Sequence, residues 1–203
     1  MNLTTTVTHE YRDLWKTCEI RPPHAREVDQ LVDRIVAHKD RYRKAGNARG
    51  VPWHVVGVIH MLEGSGNFHT HLHNGDPLTA RTVNVPAGRP KTGRPPFTWE
   101  ASAEDALVFD GLSRWTNWSV PGTLFVLERF NGFGYRRRDI DIPSPYLWSF
   151  SNHYTRGKFI RDRVFSATAI SKQCGAAVLL SRMVERKLTK IQSASAPAVP
   201  ALR

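Results

Sequence analysis

The chain has 203 residues, 40% of them hydrophobic and 23% charged, which is enough to build one domain with its own core and is unlike a disordered or fibrous composition. No run approaches the roughly 20 apolar residues of a membrane span, and two cysteines without a CxxC pair exclude a zinc ribbon or a dithiol redox motif. The net charge of +11 points to an anionic partner without choosing among nucleic acid, acidic lipid and acidic wall polymer.

Residues 8–18 set Tyr11, Leu14, Trp15 and Cys18 at helical spacing, and Pro22 and Pro23 end that helix. Ala25 to Lys44 predicts one long amphipathic helix with Val28, Leu31, Val32, Ile35 and Val36 on its stripe. The turn at 45–50 stops it, and Pro52 suits the first turn of the next helix. There Val51, Val55, Val58, Ile59 and Leu62 recur at helical spacing up to Glu63. From Gly64 to Phe97 the period vanishes, and residues 73–86 (HNGDPLTARTVNVP) predict a turn followed by a short strand or hairpin. Helices resume at Thr98–Leu112, with Thr98 as N-cap, and at Pro121–Phe130, with Ser119 as cap. Residues 131–149 are irregular, Ile170–Leu188 predicts the last helix, and the small-residue tail 191–203 is expected to be disordered.

The expected architecture is mainly α, a single domain over residues 1–190. A helical bundle surrounds a buried central helix, and a small β-hairpin excursion lines a cleft. Cys18 and Cys174 are expected to be buried free thiols. The first fifteen residues lack the basic flank and apolar run of a secretory signal. Synthesis in the cytoplasm without a signal peptide, and arrival at an extracellular target by another route such as lysis, is therefore expected.

The placement of acidic residues is informative. Between Asp40 and Glu100 there are two, Glu63 and Asp76, against eight Lys or Arg, so these carboxylates are placed rather than scattered. Glycoside cleavage needs one carboxyl held protonated for the leaving oxygen and a second, ionised one for water or for charge on the sugar. Glu63, beside Leu62 at the end of an apolar helix, suits the first role because desolvation raises a carboxyl pKa. Asp76, in a polar Gly-Asp-Pro turn, suits the second, although such a tripeptide is also an ordinary turn. Thr79 and Thr82 follow on the predicted strand, where either hydroxyl is placed to hold a water.

A helix ending in Glu, then a Gly-rich excursion bearing Asp and Thr, then helices alone, resembles the lysozyme-like superfamily of phage lysozymes and chitosanases. The segments IHMLEGSGNFHTHLHNGDPLTARTVNVPAGRP, PPFTWEASAEDAL and SPYLWS resemble bacterial and phage lysozyme family proteins, and they fall across much of residues 52–180. The resemblance implies Glu63 as general acid and Asp76 with Thr82 as the water-holding pair. The Glu-to-Asp spacing of thirteen is longer than in phage lysozymes and nearer the chitosanases, which leaves the base open and Thr79 in competition with Thr82.

The run ERFNGFGYR is similar to a sugar-lining element of goose-type lysozymes and lytic transglycosylases, which implies substrate contact for Asn131 and Tyr135. Thr79, His71, His73, Asn74 and Arg81 are expected to line the same cleft. The implied activity is a muramidase or endolysin acting on the glycan of peptidoglycan as a monomer, with neither cofactor nor metal. A lytic transglycosylase or chitosanase-like glycosidase is the nearest alternative. Chitosan itself fits poorly, because a polycation is repelled by a protein of charge +11.

Two other classes compete. His69, His71 and His73 alternate, so on a strand three imidazoles would share a face as zinc ligands of a peptidoglycan amidase, although no HExxH or cysteine supports this. The arginines at 136–138, with Phe133, Tyr135 and Trp148, suit phosphate and stacking contacts of a nucleic-acid binder, but no nucleic-acid-binding signature accompanies them. A specific nucleic-acid partner is therefore not expected.

Overall fold

A computed structural model describes residues 1–161 and 163–193. Its helices are α1 (Thr5–Lys16), α2 (Ala25–Ala37), α3 (Lys39–Asn47), α4 (Trp53–Gly64), α5 (Trp99–Phe109), α6 (Val120–Asn131), α7 (Pro145–Trp148) and α8 (Ala176–Glu185). Strands β1 (Lys158–Arg161) and β2 (Val164–Ser166) form an antiparallel hairpin. The protein is thus mainly helical with a small two-stranded sheet. No helix of the described residues is long and apolar enough to cross a membrane.

The centre is α4. Every residue from His54 to Leu62 is buried, which explains why the helix is apolar on all sides rather than on one stripe. It receives α2 and α3 on one side and α8 on another. Gly57 permits the close approach, since a Cβ there would lie 2.7 Å from Ile35 Cγ2 and 3.0 Å from Tyr42 Cδ2. The helix ends where Ser65 turns left-handed, at φ 51°, while the Gly66 N–H bonds back to the His60 carbonyl. The second buried element is α6, hidden from Val120 to Glu128 and capped by Ser119 Oγ, which accepts the Gly122 N–H. Thr98 Oγ1 caps α5 in the same way through Ala101.

Buried charge joins α1 to α6. Glu128, 2% exposed, accepts the Tyr11 hydroxyl at 2.5 Å and two Arg136 N–H groups at 2.9 Å each, while Arg136 also reaches Glu10. The arginine run at 136–138 is therefore partly internal, with Arg137 paired to Asp139.

Three expectations need correction. The stretch Ala25–Lys44 is two helices, broken at His38, because α2 packs on α8 and α4 whereas α3 turns to pack on α4 and α5. The last helix starts at Ala176 rather than Ile170, since Gly175 is extended and its Cα lies against α7. A Cβ there would stand 2.2 Å from the Leu147 carbonyl oxygen. The hairpin is not in residues 73–86, from which Pro77 forms an isolated bridge with Thr70, but at 158–166. Both cysteines are free as expected, Cys174 buried and Cys18 half-buried. Residues 194–203 of the expected disordered tail lie outside the described residues.

Candidate functional site

Glu63 stands at the C-terminal end of α4. Its side chain stays open to solvent, yet desolvation pushes its pKa above the ordinary carboxyl value. The Tyr146 hydroxyl on α7 donates to Oε1 at 3.0 Å and opposes that rise by favouring the ionised form. A carboxyl that is both wet and desolvated is one set in a cleft.

The second carboxyl here is Asp110, just past the end of α5. Burial first, and then the negative charge of Glu63, push its pKa up to about 6, against the pull of Arg129 and Arg89. Among the described residues its carboxyl has neither hydrogen bond nor ion pair. Both carboxylates also raise the Tyr146 hydroxyl pKa, after burial itself. The negative charge of Glu63 thus helps Asp110 hold its proton to higher pH, as expected of neighbouring carboxyls. Arg129 completes the cluster, its Nη2 buried without a hydrogen-bond partner and its guanidinium 5.5 Å from the Trp115 ring centroid.

A groove runs past this cluster. Three adjoining cavities of about 440, 160 and 420 Å³ make it up. The first and second share Lys158 and Gln173, and the second and third share Asn131 and Tyr135. Leu62 and Ser65 line the first cavity and Tyr146 the second, so the groove brackets Glu63. Gln173 ties its own wall to α4 by donating to the Leu62 carbonyl at 2.5 Å. Tyr135 accepts the Phe159 N–H, which fixes the hairpin along the third cavity. The hairpin does line a cleft, from a part of the chain where no strand was expected.

No family model, curated protein or solved structure matches the chain. Its function is therefore read from the side chains gathered at the groove.

Among the described residues, Glu63 and Asp110 are the carboxyls whose pKa is raised. Asp29, Asp76, Glu100 and Asp139 are lowered by hydrogen bonds or arginine partners. Neither carboxyl lines the three cavities itself, but Leu62, Ser65 and Tyr146 around Glu63 do, and carboxyls raised by desolvation beside a groove mark a candidate functional site.

Asn131 and Tyr135 line the groove, Glu63 stands beside it between Leu62, Ser65 and Tyr146, and the other predicted site residues lie in the 64–97 segment. None of Asp76, Thr79, Thr82, His71, His73, Asn74 and Arg81 lines the groove's three cavities. Asp76 is the hub of its own loop: Oδ2 accepts the N–H groups of Val83 and Asn84 and the Asn74 amide, and Oδ1 accepts the Asn84 amide. These bonds hold its pKa below the ordinary value and occupy both oxygens. Thr82 is buried, donating to the Pro86 carbonyl at 2.5 Å and accepting the Arg89 N–H. Thr79 is exposed beside a separate cavity of about 390 Å³ with Arg41 and Phe68. Arg81 donates to the Gly93 carbonyl, and Asn74 to that of Asn84.

The histidines do not converge. His71 Nε2 donates to the Ala80 carbonyl at 2.8 Å and its Nδ1 accepts the Ser102 hydroxyl at 2.7 Å, while His73 Nε2 pairs with Asp105 at 2.9 Å. They pin the loop to α5, and His69 stays exposed. No group of three His, Cys, Asp or Glu among the described residues is arranged to hold a metal ion.

Asp110, Tyr146, Arg129 and Lys158 went unrecognised in the sequence. Asp110-Gly111 reads as an ordinary helix-ending turn, and nothing local links it to Glu63. Tyr146 lies inside the segment SPYLWS, where the one available signal was its place between Pro145 and Leu147 in an otherwise apolar turn.

Proposed function

We propose that the protein is a glycoside hydrolase that cleaves the glycan strands of peptidoglycan, with Glu63 as the proton donor. One observation carries this reading: Glu63 is a desolvated carboxyl at the end of a buried helix, exposed between residues that line a groove, and its charge raises the pKa of a second carboxyl, Asp110. A raised pKa keeps a proton on a carboxyl where an ordinary carboxylate would have lost it, which is the condition a general acid requires. Glu63 faces the groove and delivers the proton to the glycosidic oxygen. Asp110 tunes it by charge. Tyr146 holds the Glu63 carboxyl in one orientation and stabilises its ionised form after transfer. Asn131 and Tyr135 lie on the groove wall where a sugar chain would run. The motif resemblance to lysozyme family proteins supports the same reading.

The engagement of both Asp76 oxygens favours a second form of this chemistry. With no free carboxylate from the loop to activate water, Glu63 acts without a separate base, as in a lytic transglycosylase, and leaves an anhydro-sugar end.

Digestion of purified peptidoglycan followed by mass spectrometry of the products tests both. Glycan cleavage is expected, with reducing ends for the hydrolase and anhydro ends for the transglycosylase. Glu63→Gln should lower turnover at least about a hundredfold, the low end for general acid catalysis. Intact glycan, cleaved peptide bonds, or an equally active Glu63→Gln protein would refute the proposal.

A further inference from the structure

One wall of the groove is the β1–β2 hairpin, and it is cationic. Lys158 is half-buried and lines both the 440 and 160 Å³ cavities, beside Tyr146 and Gln173. Arg137, Arg161 and Arg163 line the 420 Å³ cavity, and Lys172 stands at the other end. Among the described residues Lys158, Arg161 and Lys172 have no ion pair, and Glu27, at the far end, is the one acidic side chain lining the three cavities.

Elsewhere Arg41, Arg49, Arg89, Arg136, Arg182 and Arg186 have carboxylate partners, so what sets the groove apart is the number of its cations set against Glu27, its single acid among the described residues. Several cations along one groove with one acidic side chain among them make a positive surface that attracts an anionic ligand.

We propose that the hairpin is the anion-recognition wall of the groove, and that Lys158 holds a carboxylate of an acidic glycan strand next to Glu63. Arg161 is placed to take the next acidic group along the chain. A single ammonium at the narrowest cavity suits a singly charged carboxylate. A phosphate is more usually gripped by the planar fork of an arginine pair. The glycan part of this inference rests on the glycosidase reading; the anion part rests on the hairpin alone.

The test measures binding in the turnover-deficient Glu63→Gln background, by calorimetry. Three ligands are compared: a soluble peptidoglycan fragment with free carboxylates, the same fragment with its carboxyls amidated, and a neutral N-acetylglucosamine oligomer. Lys158→Ala should weaken the first by about tenfold, the scale of one charge-assisted hydrogen bond, and Lys158→Arg should recover most of it. Amidation should cost the same factor and should make Lys158→Ala silent. The neutral oligomer should bind both proteins equally.

Equal loss on the neutral oligomer would overturn the inference, as would Lys158-dependent binding of a phosphate polymer without such dependence for the carboxylated fragment. If the unsubstituted enzyme cleaves no glycan while carboxylate binding still depends on Lys158, the glycosidase reading falls and the anion site stands. If cleavage depends on Glu63 while Lys158→Ala binds every ligand normally, the anion site falls alone.

Discussion

Replacing Asp110 by Asn should make the protein more stable at neutral pH and worse at its chemistry. The Asp110 pKa rises from 3.8 to about 6 on folding. At about 1.4 kcal/mol per unit this is about 3 kcal/mol, and the residual exposure of a half-buried side chain discounts it to about 1–2 kcal/mol. The sign follows from linkage. The folded state binds this proton more tightly than the unfolded chain, so the ionised carboxyl opposes folding above about pH 6, and the penalty is gone below 3.8. Asn keeps the shape and removes the charge. At roughly 2–4 °C per kcal/mol for a chain of this size, the unfolding temperature at pH 7.5 should rise by about 2–8 °C, with no gain at pH 3.5.

Glu63 should lose its proton more easily without the neighbouring charge, so the basic limb of the pH–activity profile should move to lower pH. Thermal unfolding followed by near-ultraviolet circular dichroism at the two pH values, with glycan release from the same samples, measures both effects. Destabilisation at pH 7.5 would refute the reasoning, because it would mean that Asp110 is held by a partner rather than stranded. An equal gain at both pH values would do so as well, since it would remove charge from the explanation.

Two further substitutions separate tuning from scaffolding. Tyr146→Phe removes the hydrogen bond that lowers the Glu63 pKa, so the basic limb should move to higher pH, opposite to Asp110→Asn; a shift in the same direction would contradict the bond's assigned effect. Asp76→Ala leaves two backbone N–H groups and two amides without their acceptor, so limited proteolysis at residues 74–84 should quicken while activity falls by less than about tenfold. An activity loss matching that of Glu63→Gln, with the loop still protease-resistant, would return Asp76 to the reaction.

What the sequence disclosed and what it hid divide along a physical line. The central helix was legible because α4 is apolar through its whole buried length, and Thr98 and Ser119 were legible as caps because capping is a contact over three residues. The break at His38 was not, because Tyr42 and Ala45 continue the apolar spacing across it; the bend is dictated by what α3 packs on. The late start of α8 depends on the fit of Gly175 against Leu147, a contact with no local trace. The same line runs through the site. Glu63 carried a local signal, a carboxyl closing an apolar helix. Asp76 carried one too, as the acid of a turn tripeptide, and loop hydrogen bonds engage both its oxygens.

The pairing of Glu63 with Asp110 had no local signal, since it arises only when the ends of α4 and α5 come together, and the charge balance of the chain shows why it matters. With 29 Lys and Arg against 18 Asp and Glu, cations are abundant enough to pair with many of the carboxyls. Asp29 is shared by Arg182 and Arg186, Glu100 is held by Arg41, and even the buried Glu128 is satisfied by Arg136. In such a chain a half-buried carboxyl such as Asp110, without an arginine partner and beside a second carboxyl, costs stability that an Asn would restore. Arg129 stands near Asp110 and lowers its pKa but forms no ion pair with it, so Asp110 keeps its raised affinity for a proton. Lys158, a half-buried cation without an ion pair, lines the same small cavity as Tyr146, the hydrogen-bond partner of Glu63. Raised carboxyls beside the groove and cations along its hairpin wall are the two features on which the glycosidase and anion-binding proposals rest, the proton of the one and the charge of the other being separable by the Glu63→Gln and Lys158→Ala substitutions.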